Sequence, residues 1–416
     1  MNTKKSAEKT AEDISKKIKN GSDELNKLSE EVLGSLSKAT KQCERASLCV
    51  KKGVAFHHSG LTAKQREIIE ENFRAGVVKI ICSTSTLAAG VDLPAYRTII
   101  RDLKRFTQHG YDWIPVLEYM QMSGRAGRPK FEKEGQAIIL ASSKGHADEL
   151  EERFINGEPE EIYSKLAVEP VLRTYVLSLI SARLVTSKQE LLSFFEKTFW
   201  AHQFKDITRL EKIINKMLGL LDNWEFIKMS ENSDFVSAAE LDSGRIAPTL
   251  LGSRVAELYI DPLTANSFIE GLKATDLRGL SSFNLLQLIS YAPEIRPRLR
   301  VKAKEYDAIQ TSLAEHEINL LTKEPSLYEA EYEDFLASIK TTLFFMDWID
   351  ENSEEILLEK YDIRPGEVRA KLANADWLLY SIVEISKILQ LRKQLAELAK
   401  LRFRLKYGVR EELLQL

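Results

Sequence analysis

A chain of 416 residues is longer than one ordinary hydrophobic core needs, and typical domain size predicts about three units. A hydrophobic fraction of 44% and a charged fraction of 29% exclude the disordered and membrane-embedded classes, with no run of about eighteen uncharged apolar residues to span a bilayer. The start is polar from Lys4 onward, without the pattern of a secretory leader, so the expected compartment is the cytoplasm. A net charge of −3 excludes coating of nucleic acid by bulk charge and permits only a local basic groove. Cys43, Cys49 and Cys82 are too few and too irregular for a disulfide framework or a four-thiolate zinc site.

In chain order, the first fifty residues space Ile14, Ile18, Leu25, Leu28, Val32 and Leu36 as amphipathic helices do. Val54-Ala55-Phe56 reads as a short strand, and Thr62 with Gln65 three residues on reads as a capping box opening a helix. The β-branched run Val77 to Cys82 predicts a second strand, and Ala137 to Leu140 a further one. Strand, helix, strand alternation implies a parallel α/β sheet. Beyond about residue 160 Leu-rich helical periodicity dominates. It is interrupted at Trp224–Lys228 and Phe235–Ser237 by strand-like pieces that suit a winged-helix unit. From Pro262 nearly every segment reads as helix, with Pro365-Gly366 opening a long one.

The most specific stretch is Gln121-Met122-Ser123-Gly124-Arg125-Ala126-Gly127-Arg128-Pro129. Arg125 and Arg128, three apart, are expected on one helical face, from which they would reach a triphosphate held by a neighbouring domain. A guanidinium fork matches phosphate oxygens, and an arginine supplied in trans accelerates phosphoryl transfer by about 10³ to 10⁵. A solvated basic turn is the competing reading. A P-loop needs Gly-Lys-Ser/Thr, yet no glycine here is followed by lysine, and there is no Asp-Glu box at a strand end to hold magnesium. Alone, the chain is expected to be a poor ATPase.

Gln121 to Pro129 resembles motif VI of superfamily-2 helicases. Ser83-Thr84-Ser85-Thr86-Leu87-Ala88-Ala89-Gly90-Val91-Asp92-Leu93-Pro94 resembles motif V, and Ala55 to Leu61 resembles the segment before it. Together they are similar to the Ski-type branch, specifically the archaeal DNA repair helicases related to the helicase part of polymerase theta. The resemblance runs nearly end to end, and both termini look like cuts within a longer family chain. It implies α/β then mainly α architecture: a second RecA-like motor domain over 1–158, a winged-helix domain over 159–258 and a helical ratchet domain over 259–416. Gln121 joins the two arginines as catalytic residues. Thr84 would contact the strand backbone, although Ser83-Thr84 alone reads more simply as a helix cap. Gly90 and Asp92 would face the nucleotide, and Ser85 stands where relatives often have proline.

The segment Arg101 to Ile114, with Arg105, Phe106, His109, Tyr111 and Trp113, would be a duplex-separating hairpin whose aromatic tip replaces base stacking. Its alternative is a packed surface hairpin. Arg369, Ala373, Trp377 and Tyr380 fall broadly on one side of the long helix, and the family places there a tryptophan that stacks on a base of the single strand. Arg369 would be its basic partner, since Ala370 occupies the place relatives often give to arginine; the alternative for Trp377 is the core. Lys387, Arg392, Lys393, Lys400, Arg402, Arg404 and Lys406 form a basic tail suited to phosphates or merely solvated. His57 and His58, adjacent on a strand, point to opposite faces and are not expected to share a metal.

The expected function is thus the C-terminal part of an ATP-dependent 3′-to-5′ DNA helicase acting on forked or branched DNA in replication-linked repair. ATP and Mg²⁺ would be held mainly by a separate front motor domain. Its partners would be single-stranded and forked DNA, with no membrane, and it would act as a monomer. The alternatives are a non-enzymatic single-stranded DNA-binding module and a winged-helix protein-interaction subunit.

Overall fold

The computed structural model describes residues 1–19, 21–36, 38–88, 93, 95–107, 110–127, 134–166, 168–230 and 245–415. They form two units, Met1–Ile162 with Asp362–Arg369, and Tyr163–Tyr361 with Ala370–Leu416.

The first unit opens with α1 (Lys4–Ser15), α2 (Asp23–Leu33) and α3 (Lys41–Val50), started by the hydroxyls of Thr3, Ser22 and Thr40, each of which accepts a first-turn N–H. Strand β1 (Val54–His57) is buried throughout, as suits a strand covered on both faces. It pairs in parallel with β2 (Ile80–Ser83), from Val54 opposite Ile80 to His57 opposite Ser83. Between them runs α4 (Ala63–Arg74), opened by the Thr62–Gln65 capping box. The strand expected from Val77 starts only at Ile80. Gly76, at φ 75°, turns the chain so that the N–H groups of Val77 and Val78 both donate to the carbonyl of Asn72.

Next come β3 (Arg97–Ile100), β4 (Lys104–Thr107), β5 (Gly110–Trp113), α5 (Val116–Ser123), β6 (Gln136–Ile139) and α6 (Lys144–Leu150). Strands β3 and β6 are parallel, whereas β4 and β5 form an antiparallel hairpin. Among the described residues the two parallel pairs are separate two-stranded ladders. One core gathers Val32, Val50, Val54, Phe56, Ile68 and Cys82; another gathers Ile100, Leu103, Ile114, Val116, Tyr119 and Phe154.

The second unit is mainly helical. Helices α7 (Glu169–Ser181), α8 (Lys188–Glu196), α9 (Phe199–Phe204) and α10 (Ile207–Asn223) precede β7 (Ile227–Met229), β8 (Ile246–Pro248) and α11 (Leu250–Glu257). Strands β7 and β8 pair antiparallel. Trp224 caps α10 and Glu225 takes φ 60°, so the strand begins later than expected. The expected piece at Phe235–Ser237 lies outside the described residues. There follow α12 (Pro262–Arg278), α13 (Ser282–Tyr291), α14 (Tyr306–His316), α15 (Tyr332–Ile349), α16 (Glu354–Tyr361), α17 (Pro365–Ile388) and α18 (Arg392–Tyr407). Within α17, Ala375, Leu378, Leu379, Ile382 and Ile385 are buried at helical spacing, while Ala373 is exposed and Trp377 and Tyr380 are half-buried. Among the described residues, no helix is long and apolar enough to cross a membrane.

Candidate nucleotide and nucleic-acid interface

Helix α5 carries the arginine-rich stretch. Its N-cap is Pro115, which has no capping side chain, and Glu160 supplies the cap from a distance by accepting the N–H groups of Val116 and Leu117 at 2.7 and 3.1 Å. Burial pushes the Glu160 carboxyl up, but those two hydrogen bonds outweigh it and hold the group below the ordinary carboxylate value.

The helix stops at Ser123 with Gly124 as its cap, so Arg125 is not on a helical face as the spacing suggested. It stands half-buried in a turn pinned by an isolated parallel bridge to Ala95, just before β3: Ala95 donates to the Arg125 carbonyl and Gly127 donates to the Ala95 carbonyl, each at 3.1 Å. Gly127 takes φ 65°, and a Cβ there would lie 2.6 Å from the nitrogen of Gly135, so the backbone approach excludes any side chain. Gln121 is exposed on the last turn of α5. Arg128, Gly90 and Asp92 lie outside the described residues. Thr84 follows β2, donating its N–H to the His57 carbonyl at 3.3 Å, with its hydroxyl 2.9 Å from that of Thr86.

The hairpin divides the residues that the sequence grouped together. Phe106 and Tyr111 are directly opposite across the ladder and are 76% and 63% exposed. Trp113 is not at the tip: it sits at the hairpin base, edge-on to Phe154 at 5.7 Å, with the Lys104 ammonium 3.9 Å from its ring centre. Arg105 is paired within the protein. Its Nη1 lies 3.0 and 2.7 Å from the two carboxylate oxygens of Glu118 on α5. Sequence reasoning passed over Glu118 and Glu160; for Glu118 the signal was its place in the first turn of a helix whose cap is proline, while Glu160, far along the chain, left none.

In the second unit, the indole N–H of Trp377 donates to the Leu258 carbonyl at 3.0 Å and leaves the ring half-buried. Tyr380 accepts from Arg254 at 3.0 Å and lies under Arg402, whose guanidinium is 4.8 Å from its ring centre while gripping Asp376 with two hydrogen bonds. The tail is less available than its composition suggested. Lys387 pairs with Glu384 and Lys400 with Glu397, and Arg404 is buried against the Ser282 hydroxyl. Arg369, in the part of α17 that belongs to the first unit, is exposed.

The two histidines have separate partners. His57 Nε2 lies 2.8 Å from Glu70, and His58 Nε2 lies 3.1 Å from Glu8, while His58 Nδ1 accepts the Gly60 N–H. Glu8 also accepts from Gln42, Arg45 and Arg364 at 3.0, 2.8 and 2.9 Å. Burial pushes this carboxyl up, but His58 and Arg364 outweigh burial and hold it far below the ordinary carboxylate range.

Residues 24–130 match the profile described as helicase conserved C-terminal domain, and residues 283–408 match archaeal helicase, domain 4. The chain is 39% identical to the ATP-dependent DNA helicase Hel308 of Methanococcus vannielii, covering 94% of this chain and 55% of that protein. It is 39% identical to the protein of the same name from Methanocella arvoryzae, over 100% of this chain and 55% of the relative. The Pyrococcus abyssi protein of that name is 36% identical, with 100% and 56% covered. The chain thus spans about half the length of these curated relatives. The helicase profile over the first unit, the archaeal domain profile over the helical part and identity along nearly the whole chain make it a homologue of the Hel308-type archaeal helicases of superfamily 2.

Proposed function

We propose that this chain is the DNA-guiding part of an ATP-dependent 3′-to-5′ helicase acting on forked DNA. In this reading residues 1–158 are the second motor domain, 159–258 a winged-helix unit and 259–416 a ratchet domain whose helix α17 presents Trp377 to the extruded strand. Arg125 and Arg128, with Gln121, would face an ATP whose phosphate cradle and Mg²⁺ are held on a separate front motor domain. Gly90 and Asp92 would border the nucleotide, and Thr84 would contact the strand backbone. Phe106 and Tyr111 would replace the stacking lost when a base pair opens.

The observation that carries this reading is the pair Phe106 and Tyr111, two large aromatic rings left opposite one another on an exposed hairpin in a homologue of DNA helicases. Exposed rings of that size lose apolar burial, and stacking on a base returns about 1–3 kcal/mol each. The test is binding of the chain to a forked duplex and to its single strand by fluorescence anisotropy across salt concentrations. Affinity should fall steeply with salt, as counterion release requires. Phe106→Ala with Tyr111→Ala should abolish most of the preference for the fork. Salt-independent binding, or a fork preference unchanged in the double variant, would contradict the proposal.

A further inference from the structure

The two faces of the β4–β5 hairpin do different things. Neighbouring residues on a strand point to opposite sides, so Arg105 and its partner Asp112 face away from Phe106 and Tyr111. On that second face Arg105 reaches both oxygens of Glu118, in the first turn of α5 and one turn before Gln121. The chain itself makes the same connection: only Ile114 and Pro115 separate β5 from α5, and Ile114 closes the hairpin base by donating to the Leu103 carbonyl at 2.9 Å. Side-chain packing makes it a third time, since Trp113 from β5 and Tyr119 from α5 both rest on Phe154, at 5.7 and 5.4 Å. At its far end α5 runs into the Arg125 turn that is bonded to Ala95.

We infer that Arg105 and Glu118 are positioning residues that make the hairpin and α5 one body, so that a duplex pressing on Phe106 and Tyr111 sets the placement of Gln121 and Arg125. This rests on the reading of the hairpin as a duplex wedge and of α5 as the carrier of nucleotide-facing residues. It assigns Arg105 to coupling and not to the DNA. Coupling of this kind needs an element held at both ends, and α5 is held by Glu118 on the hairpin side and by the Ala95 bonds on the other. An ordinary exposed ion pair would hold the hairpin in place and transmit nothing.

The test is amide hydrogen exchange of the full 416-residue chain with and without a forked duplex, followed separately over 104–113 and 116–123. In the natural chain the fork should slow exchange in both segments, by about fivefold or more in α5, the low end of coupling between sites. Glu118→Gln and Arg105→Gln should each keep the slowing in the hairpin and lose it in α5. The exchanged pair Arg105→Glu with Glu118→Arg should restore it, which general destabilisation would not do. Slowing in α5 that persists in Glu118→Gln would overturn the inference. So would a hairpin slowed by the fork beside an unaffected α5 in the natural chain, an outcome that leaves the DNA reading standing. If the fork slows neither segment, the wedge reading itself falls, and the coupling falls with it.

Discussion

Glu8 and Phe106 belong to the same unit and use their side chains in opposite ways. Glu8 is only 2% exposed and collects donors from α3 and from Arg364, with His58 3.1 Å away, so its negative charge is fully answered inside the protein. Phe106 is 76% exposed, and its cross-strand neighbour Tyr111 is 63% exposed. A residue tied on every side stabilises the fold and has nothing left to offer a ligand, whereas one left bare contributes little to stability and is available for contact.

The largest effect expected is on Glu8. Glu8→Ala removes a buried carboxylate shared by Arg45 and Arg364 and should cost about 3–5 kcal/mol of stability, measured by urea denaturation. The pH dependence has a definite sign. Because the folded carboxyl is held below its ordinary value of 4.5, its stabilisation is present above that pH and is lost as the pH falls below it. Glu8→Gln should therefore start less stable and lose less on acidification between pH 5 and pH 3, a window set by the direction of that shift. Equal acid sensitivity in the natural chain and the variant would show that the cluster does not carry this charge.

The hairpin tip should behave in reverse. Phe106→Ala and Tyr111→Ala should each change stability by no more than about 0.5 kcal/mol and weaken fork binding by about 1–3 kcal/mol. A marked loss of stability in either would move the tip into the packed class. Trp377 stands between the two cases, because its indole is hydrogen-bonded to Leu258 yet its ring is half open. Trp377→Phe keeps an aromatic face and removes that hydrogen bond, so it should lower stability by about 0.5–1.5 kcal/mol while holding most single-strand affinity. A much larger loss of stability with single-strand affinity untouched would make Trp377 a core residue and send the strand elsewhere.

Much of the architecture is legible in the amino-acid sequence. The Thr62–Gln65 capping box, the β1 run and the long helix from Pro365 rest on local rules of capping, periodicity and breaker residues and stand where those rules put them, whereas the hairpin was expected from the family resemblance. Spacing misled where glycine intervened: Gly124 ended α5 before Arg125, and Gly76 delayed β2. What periodicity cannot carry is the identity of distant partners. That Arg105 meets Glu118, that Trp113 leans on Phe154 and that Arg404 is buried against Ser282 depends on residues brought together by folding. A count of basic or aromatic residues therefore does not show which of them are already engaged within the protein.

The reading as half of a DNA-driven motor is tested most directly by mixing this chain with the remaining motor half of a Hel308-type relative and measuring ATP hydrolysis with and without single-stranded DNA. The expected result is DNA-stimulated turnover in the mixture and in neither part alone, with Arg125→Ala and Arg128→Ala each abolishing most of it while single-strand binding is kept, and with lysine a poor substitute at either position. Stimulated hydrolysis that is indifferent to both arginines would contradict it.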